Sequence, residues 1–393
     1  MSPADSRALL LWSPELLGYD FGPGHPMSPL RLRLTMELID AFGLCSQLQV
    51  AAAEPAPDEL LELVHDPEYI AQVRAESSGG PTFPWGIGGT DNPAFPGMHD
   101  AAARIVGASV AGALAVWRGQ ARAAINPAGG MHHAMPRAAS GFCIYNDAAV
   151  AIAALLAQGA ERVCYLDIDA HHGDGVERVF WNDPRVLTIS IHQSGRTLFP
   201  GSGFSQDAGG SHARGYAVNV PLPSRTSDAA WLRAIEAIAE PLLREWQPQV
   251  LISQHGADPH GDDPITDLDV SVDGQRAAAL MIADWAEEYA GGRWLATGGG
   301  GYDLVGTVPR VWAHLAAVVA GQPIDPAAII PAQWGELVQQ LVGRQGPDTM
   351  TDGRPGSFRS WDSGYDPDDP VDRAVLATRR AVFPEHGIDP LLG

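Results

Sequence analysis

The sequence predicts an α/β protein built on a parallel sheet sandwiched between helices. Three observations carry this. Short β-branched runs alternate along the chain with longer alanine-rich segments, the order expected of a helix-covered parallel sheet. Several short runs are continuously apolar rather than alternating, as strands are when both faces are covered. The residues able to do chemistry gather just past the carboxyl ends of these runs, where open α/β sheets bind ligands.

Taken in order, the apolar run Ala8–Trp12 is a strand and Pro29–Phe42 a helix. Ser77–Gly97 breaks the pattern. It is rich in glycine, proline and aromatics (Pro81, Phe83, Pro84, Trp85, Pro93, Phe95, Pro96), so it reads as an ordered loop and, being long, as a functional rim. The helix Asp100–Trp117 precedes the strand Ala121–Asn126, and the alanine-rich helix Asn146–Gln158 precedes the strand Arg162–Asp167. Strands Val186–Ile191 and Tyr216–Val220 follow, then helix Asp228–Trp246, strand Val250–Gln254, helix Val272–Tyr289, strand Trp294–Thr297 and helix Pro309–Ala320. After about Gly343 the chain is rich in proline, glycine and aspartate until a short helix at Val371–Val382, a packed but variable tail. No stretch resembles a domain linker and no repeat is present. One domain is expected over residues 1–393, with its core from about 8 to 320 and the tail from about 343.

The 393 residues are 45% hydrophobic and 18% charged, enough apolar material for a large core and unlike a disordered chain. Lys+Arg number 25 and Asp+Glu 47, a formal charge of −22. This argues against a nucleic-acid surface, which carries a basic stripe. It suits cationic or lysine-rich substrates, or serves solubility alone. Cys45, Cys143 and Cys164 show no CxxC spacing, which points to a reducing compartment. The amino terminus lacks the layout of a signal peptide, and no uninterrupted apolar stretch reaches about 18 residues. A soluble cytoplasmic protein without a membrane partner is expected; its oligomeric state is not legible.

Five strand ends carry polar clusters. Asn126 leads into Gly129-Gly130-Met131-His132-His133, and Arg162–Asp167 into Asp167-Ile168-Asp169-Ala170-His171-His172-Gly173-Asp174. Val186–Ile191 leads into His192, Val250–Gln254 into His255-Gly256-Ala257-Asp258, and Trp294–Thr297 into four glycines and Tyr302. In an extended chain Asp169 and His171 point the same way. A carboxylate and an imidazole on one side are a natural metal pair, and Asp258 from another strand end would complete a three-ligand site with an open position. That set fits catalytic zinc, with Fe(II) or Co(II) as alternatives; a chance loop sequence is the competing reading. Adjacent His132 and His133 are ill placed to share one metal but could flank a metal-bound water as acid, base and electrostatic partner. Asp167 and Asp174 are available to orient them. The glycines are no phosphate loop, since no Gly-Lys-Ser/Thr follows. They would let backbone approach a crowded site and deliver Tyr302 as an oxyanion donor. Taken alone, Tyr302 reads equally as a turn aromatic.

The stretches Pro23–Arg33, Gly130–His133, Gly141–Asp147, Asp167–Gly175, Phe199–Gly201, Gly256–Asp258 and Gly298–Tyr302 together resemble the zinc-dependent histone deacetylase superfamily. The bacterial acetoin-utilisation deacetylases of class I type are the nearest match in pattern. The resemblance implies the arginase/deacetylase fold with a single eight-stranded parallel sheet, one strand more than the seven read above. It implies zinc ligands Asp169, His171 and Asp258, a charged His132 paired with Asp167, and His133 as general base and acid paired with Asp174. Tyr302 would polarise the acyl carbonyl. Phe142 and Phe199 would wall an acyl-lysine tunnel beside Gly141, Asp91 would grip the substrate backbone at the rim, and Arg31 would line an internal cavity. Potassium is implied at Asp167, Asp169, His171, Ser190 and Ile191, and again around Phe180, Asp183, Val186 and Tyr216.

The remaining histidines read as structural or exposed (His25, His65, His99, His212, His314, His386) or as neighbours of the site (His172, His192, His255). His260, two residues past Asp258, is harder to place. Arginase-type binuclear sites need carboxylates where this chain has Gly173 and His260, so one metal is expected. The implied reaction is hydrolysis of an acetyl-lysine amide of a protein, with a small acylated amine as the alternative substrate. The alternatives are an acetylpolyamine amidohydrolase and a non-catalytic acyl-lysine binder on the same fold.

Overall fold

The computed structural model describes residues 7–80 and 85–392. Pro81, Phe83 and Pro84 of the aromatic loop, and residues 1–6, lie outside the described residues. The strands are β1 (Leu9–Leu11), β2 (Gln49–Ala51), β3 (Ala123–Asn126), β4 (Val163–Asp167), β5 (Val186–Gln193), β6 (Ala217–Leu222), β7 (Val250–Gln254) and β8 (Trp294–Thr297). They form one eight-stranded sheet in the order β2-β1-β3-β8-β7-β4-β5-β6, and every pairing is parallel. This is the arrangement expected of the arginase/deacetylase fold.

The continuously apolar runs are the strands buried throughout: β3, β4, β5, β7 and β8 have no exposed residue. Helices make this possible by covering the sheet. Met98–Trp117 packs on Asp147–Ala157, Leu30–Ala41 on Val308–Val319, and Asp228–Trp246 on Val272–Ala290. Each fully buried Leu, Ile or Val contributes roughly 1.5–3 kcal/mol.

The strand absent from the sequence reading is β2. It has three residues, sits at the sheet edge and is largely exposed, so it carries no apolar run to find. Four helices were also not anticipated: Asp58–Leu61, Pro67–Ser77, Asp174–Phe180 and Ala332–Val342. Two strands run longer than expected. β5 continues through Gln193, so His192 lies inside the strand rather than beyond it. β6 continues through Pro221, tolerated because β6 is the other edge and an edge proline loses no ladder bond that a neighbour needs.

By length and composition the helix Met98–Trp117 is apolar enough to cross a membrane, with mean hydropathy 1.3 over its best window. Asp100 and Arg104 interrupt its apolar run, which hid it from the uninterrupted-run criterion. Most of that window, 61%, is buried inside the protein, as in a core helix.

The tail is packed. Arg233 makes a bidentate pair with Asp372 at 2.7 and 2.8 Å, both side chains buried. It also holds the carbonyls of Arg359 and Gly364 at 2.9 and 2.8 Å. The helix Pro370–Val382 packs beside Asp228–Trp246 and β6.

Candidate metal centre and its histidine pair

The five strand ends singled out in the sequence belong to five adjacent strands, β3-β8-β7-β4-β5. Their register aligns one row across the sheet: Asn126 opposite Thr297, Thr297 opposite Gln254, Gln254 opposite Asp167, and Asp167 opposite Ser190. All five side chains are polar and buried. Such a row costs desolvation in a sheet core unless its members are partnered. It forms the floor of the site.

Directly above it, Asp169, His171 and Asp258 offer ligand atoms that all lie within 4.8 Å of one another. Asp169 and Asp258 are fully buried. His171 Nδ1 lies 2.8 Å from Asp258 Oδ2 and 3.1 Å from Asp169 Oδ1. The remaining carboxylate oxygens are held from behind. Gln254 Nε2 and the Gly300 amide donate to Asp169 Oδ2 at 2.7 and 2.8 Å, and the Ala170 amide donates to Asp258 Oδ1 at 3.0 Å. Gly300 is required, because a Cβ there would collide with the Asp258 carboxylate.

The electrostatics of the group call for a cation. Burial and then the neighbouring Asp169 charge push the Asp258 carboxyl up to about 6. Burial would lower His171, but the two carboxylates outweigh it and raise the ring to about 10. The His171 ring is thus drawn toward its protonated form between two buried carboxylates. A divalent cation would satisfy that donor set of two oxygens and one nitrogen. Among the described residues this is one such group, and no second carboxylate pair joins it.

Beside it stand two buried histidines. His132 Nδ1 lies 2.7 Å from Asp167 Oδ2, which the Tyr165 hydroxyl also reaches at 2.7 Å. His133 Nδ1 lies 2.7 Å from Asp174 Oδ1. Desolvation disfavours charge on both rings. For His132 the Asp167 and Asp169 carboxylates outweigh it and raise the ring to about 9. For His133 desolvation is reinforced by the charge on His132, and the ring falls to about 4.

The loop that presents this pair is fixed by Asn146 and Asp147 at the start of helix Asp147–Ala157. Asn146 caps the helix by accepting from the Ala149 amide at 3.0 Å, and its Nδ2 donates to the carbonyls of His132 and Ala134. The buried Asp147 carboxylate accepts from the amides of Gly130 and Met131. The sequence marked this stretch without revealing these tasks.

Aromatic rings surround the mouth. Phe199 is 46% exposed and stands 5.0 Å from the His133 ring; Phe142 lies 5.7 Å from the Tyr302 ring. Gly141 has φ +52, and a Cβ there would strike the His133 ring. The Tyr302 phenol is pushed well above its ordinary value, by desolvation and then by Asp258 and Asp169, so it remains a donor. Exposed Asp91 accepts from the Gly141 amide at 3.0 Å. Arg31 is buried and reaches inward, donating to the carbonyls of Gly299 and Gly301 at 2.8 and 3.3 Å and lying over the Trp312 ring. A small cavity lined by Tyr19, Met27, Arg31 and Met131 adjoins it.

Of the positions carried over for potassium, Ser190 pairs with Asp167 across β4 and β5, and Ile191 follows it. Phe180, Asp183 and Val186 form the turn entering β5, tied by Asp183 N to Phe180 O at 2.9 Å and Val186 N to Asp183 O at 3.1 Å. The Tyr216 carbonyl accepts from Thr188. The Asp183 carboxylate itself is committed to Arg185 at 2.6 Å.

Several histidines gain definite places. His25 is no bystander: its ring packs 4.7 Å from Phe142 and its Nε2 donates to the Asp91 carbonyl at 3.2 Å, tying two rim loops together. His172 bonds Ser202 and His192 bonds Gly203, both behind the Phe199 loop. His255 bonds Ser253 beneath the sheet row. His260 turns away from the metal group to Asp352 of the tail, at 2.9 Å. Asp263, unnoticed in the sequence, accepts from the Tyr302 amide at 2.9 Å.

Residues 25–319 match the histone deacetylase domain. The chain is 40% identical over 333 residues to the acetoin utilization protein AcuC of Bacillus subtilis, covering 83% of this chain and 85% of that protein. It is 35% identical over 339 residues to AcuC of Staphylococcus xylosus, covering 85% and 88%. Among solved structures, an HDAC homolog complexed with SAHA superposes with a TM-score of 0.83 at 28% identity, covering 95% of this chain and all of the other. An HDAC homolog from Aquifex aeolicus gives 0.81 at 28% identity, covering 94% and 99%.

Proposed function

The chain belongs to the histone deacetylase family, and from that premise we propose that it is a zinc-dependent amidohydrolase removing acetyl or related acyl groups from lysine side chains of proteins. One observation supports this above the others: two histidines 3.0 Å apart, pushed in opposite directions from the ordinary histidine value, stand beside a buried Asp-His-Asp group.

Asp169, His171 and Asp258 would hold the metal. When bound, such a cation lowers the pKa of water toward about 7 and polarises the acyl carbonyl. The chain's own groups do the rest. Phe142 beside Tyr302 and Phe199 beside His133 would flank an unbranched lysine stem, and Asp91 at the rim would take the substrate backbone. His133, neutral at Nε2 and oriented by Asp174, accepts the proton of the attacking water. The charged His132, held by Asp167, stabilises the negative charge that develops. The Tyr302 hydroxyl donates to the carbonyl oxygen as it becomes an oxyanion, a contribution on the order of 10²–10³ in rate. The C–N bond then breaks, and His133 returns its proton to the leaving amine. Acetate and free lysine result, and Arg31 lines the cavity behind. Potassium at the two positions described would brace β4 and β5. We read residues 1–393 as one domain in a reducing, cytoplasmic setting, in keeping with free Cys45, Cys143 and Cys164.

The charge of −22 also favours a small cationic substrate, an acetylated polyamine. Metal analysis of the purified protein, with rates on an acetyl-lysine peptide and on acetylspermidine side by side, separates the readings. Zinc near one per chain and faster peptide turnover are expected. His133→Ala should abolish turnover, and retention of near-wild-type rates by that variant would overturn the assignment.

A further inference from the structure

We propose that Asp263 is the positioning residue of Tyr302, its carboxylate fixing the backbone from which the phenol reaches the acyl carbonyl. This rests on the reading of Tyr302 given above and deepens it.

Tyr302 follows four glycines, residues 298–301, and Gly301 has φ +133. Glycine imposes almost no backbone preference of its own, so the direction in which this run delivers Tyr302 must be set from outside. The contacts that set it are on every side of the run. Arg31 holds the carbonyls of Gly299 and Gly301. The Gly300 amide is bound by Asp169, and its carbonyl by the Ala257 amide at 2.7 Å. At Tyr302 itself the amide is held by Asp263 Oδ2 at 2.9 Å.

Asp263 is suited to this by its own anchorage. It is 8% exposed. Its second oxygen, Oδ1, accepts from the Ile265 amide at 3.0 Å, and its own amide donates to the His260 carbonyl at 3.0 Å. His260 in turn is fastened to Asp352, which Arg310 also grips at 2.7 Å. Asp263 lies five residues past Asp258 in the same loop. One rigid loop therefore carries both a metal-group carboxylate and the support of Tyr302, which fixes the phenol relative to the metal group.

Two acceptor oxygens are needed for chemical reasons, and burial and then the Asp258 charge, which push the Asp263 carboxyl up to about 7, leave both of them able to accept. Two amide N–H groups converge on two oxygens, whereas an asparagine has one acceptor oxygen and would turn an N–H toward one of those donors. Asp263→Asn keeps the size and loses one of the two bonds. A displacement near 1 Å can cost up to about 100-fold. With saturating zinc we expect kcat to fall about 10- to 100-fold, KM to change less than about twofold, and zinc affinity, measured by competition with a chromophoric chelator, to stay within about twofold.

The decisive measurement is a double-mutant cycle with Tyr302→Phe. If Asp263 acts through the Tyr302 hydroxyl, adding Asp263→Asn to Tyr302→Phe lowers kcat by less than about twofold further. Equal fold losses in both backgrounds, or weakened zinc binding by Asp263→Asn, overturns the inference and leaves the role of Tyr302 intact. A fully active Tyr302→Phe overturns the role of Tyr302 and the inference with it. Should Asp263→Asn fail to fold, the smaller Asp263→Ser enters the same cycle with the same criteria.

Discussion

The Nε2 atoms of His132 and His133 lie 3.0 Å apart, and neighbouring charges and burial push the two rings in opposite directions, His132 up to about 9 and His133 down to about 4. A charged His132 can donate from Nε2 to the lone pair of a neutral His133, a contact that must open before that same lone pair takes the proton of the attacking water. In metal-free protein, NMR of the imidazole protons should show His132 charged up to about pH 9 and His133 neutral down to about pH 4. His132 is raised from 6.5, so its stabilising share is complete below about pH 6.5 and is lost as pH rises through about 9. His133 is lowered from 6.5, so its burial as a neutral ring opposes folding progressively as pH falls from about 6.5 toward 4. Titration of both rings near 6.5 would refute the opposed states.

Metal removal should cost stability rather than fold. Asp169 and Asp258 retain their backbone donors without a cation, but their mutual repulsion is met only by charge on the neighbouring His171 and His132 rings. Ligand excess of 100 times Kd stabilises by about 2.7 kcal/mol. Calorimetry should show a transition temperature that rises with zinc and falls with chelator. A transition indifferent to zinc would argue against a site at these residues.

Gly141→Ala tests the mouth. The new Cβ meets the His133 ring, and φ +52 strains any side chain. Overpacking of this kind costs about 1–3 kcal/mol. Turnover should fall at least tenfold, because the displaced ring is the one assigned as base, a loss in line with removing a general base. Unchanged kcat would show that His133 can move without consequence.

Arg233→Ala tests the tail. It leaves Asp372 with only the half-exposed Arg359 at 3.4 Å and the Asp366 amide, so the loss should approach the lower end of the roughly 3–5 kcal/mol that breaking a buried pair costs. Urea unfolding should report that loss, and limited proteolysis should open the segment before Pro370–Val382. Replacing both partners by apolar residues, Arg233→Met with Asp372→Leu, should recover much of it.

The chemistry of the metal group was legible because it is local. Asp169 and His171 are two residues apart at a strand end, and that spacing alone turns both the same way. The strand ends themselves were readable from continuous apolar runs. Strand β2 was not, since three exposed edge residues carry no hydrophobic pattern. Nor were the tasks of Asn146 and Asp147, whose partners lie 12 to 17 residues back across a loop. His260 had no readable place until Asp352, 92 residues on, took its Nε2.

The order of apolar runs and the identity of the residues at their ends thus determined the sheet and the ingredients of the site. Which histidine is charged, where His260 points and what holds Tyr302 were decided by tertiary structure. Protonation follows from burial and from the distances to several carboxylates at once, and hydrogen-bond partners follow from which loops meet. Both are properties of separations in space that no spacing along the chain encodes.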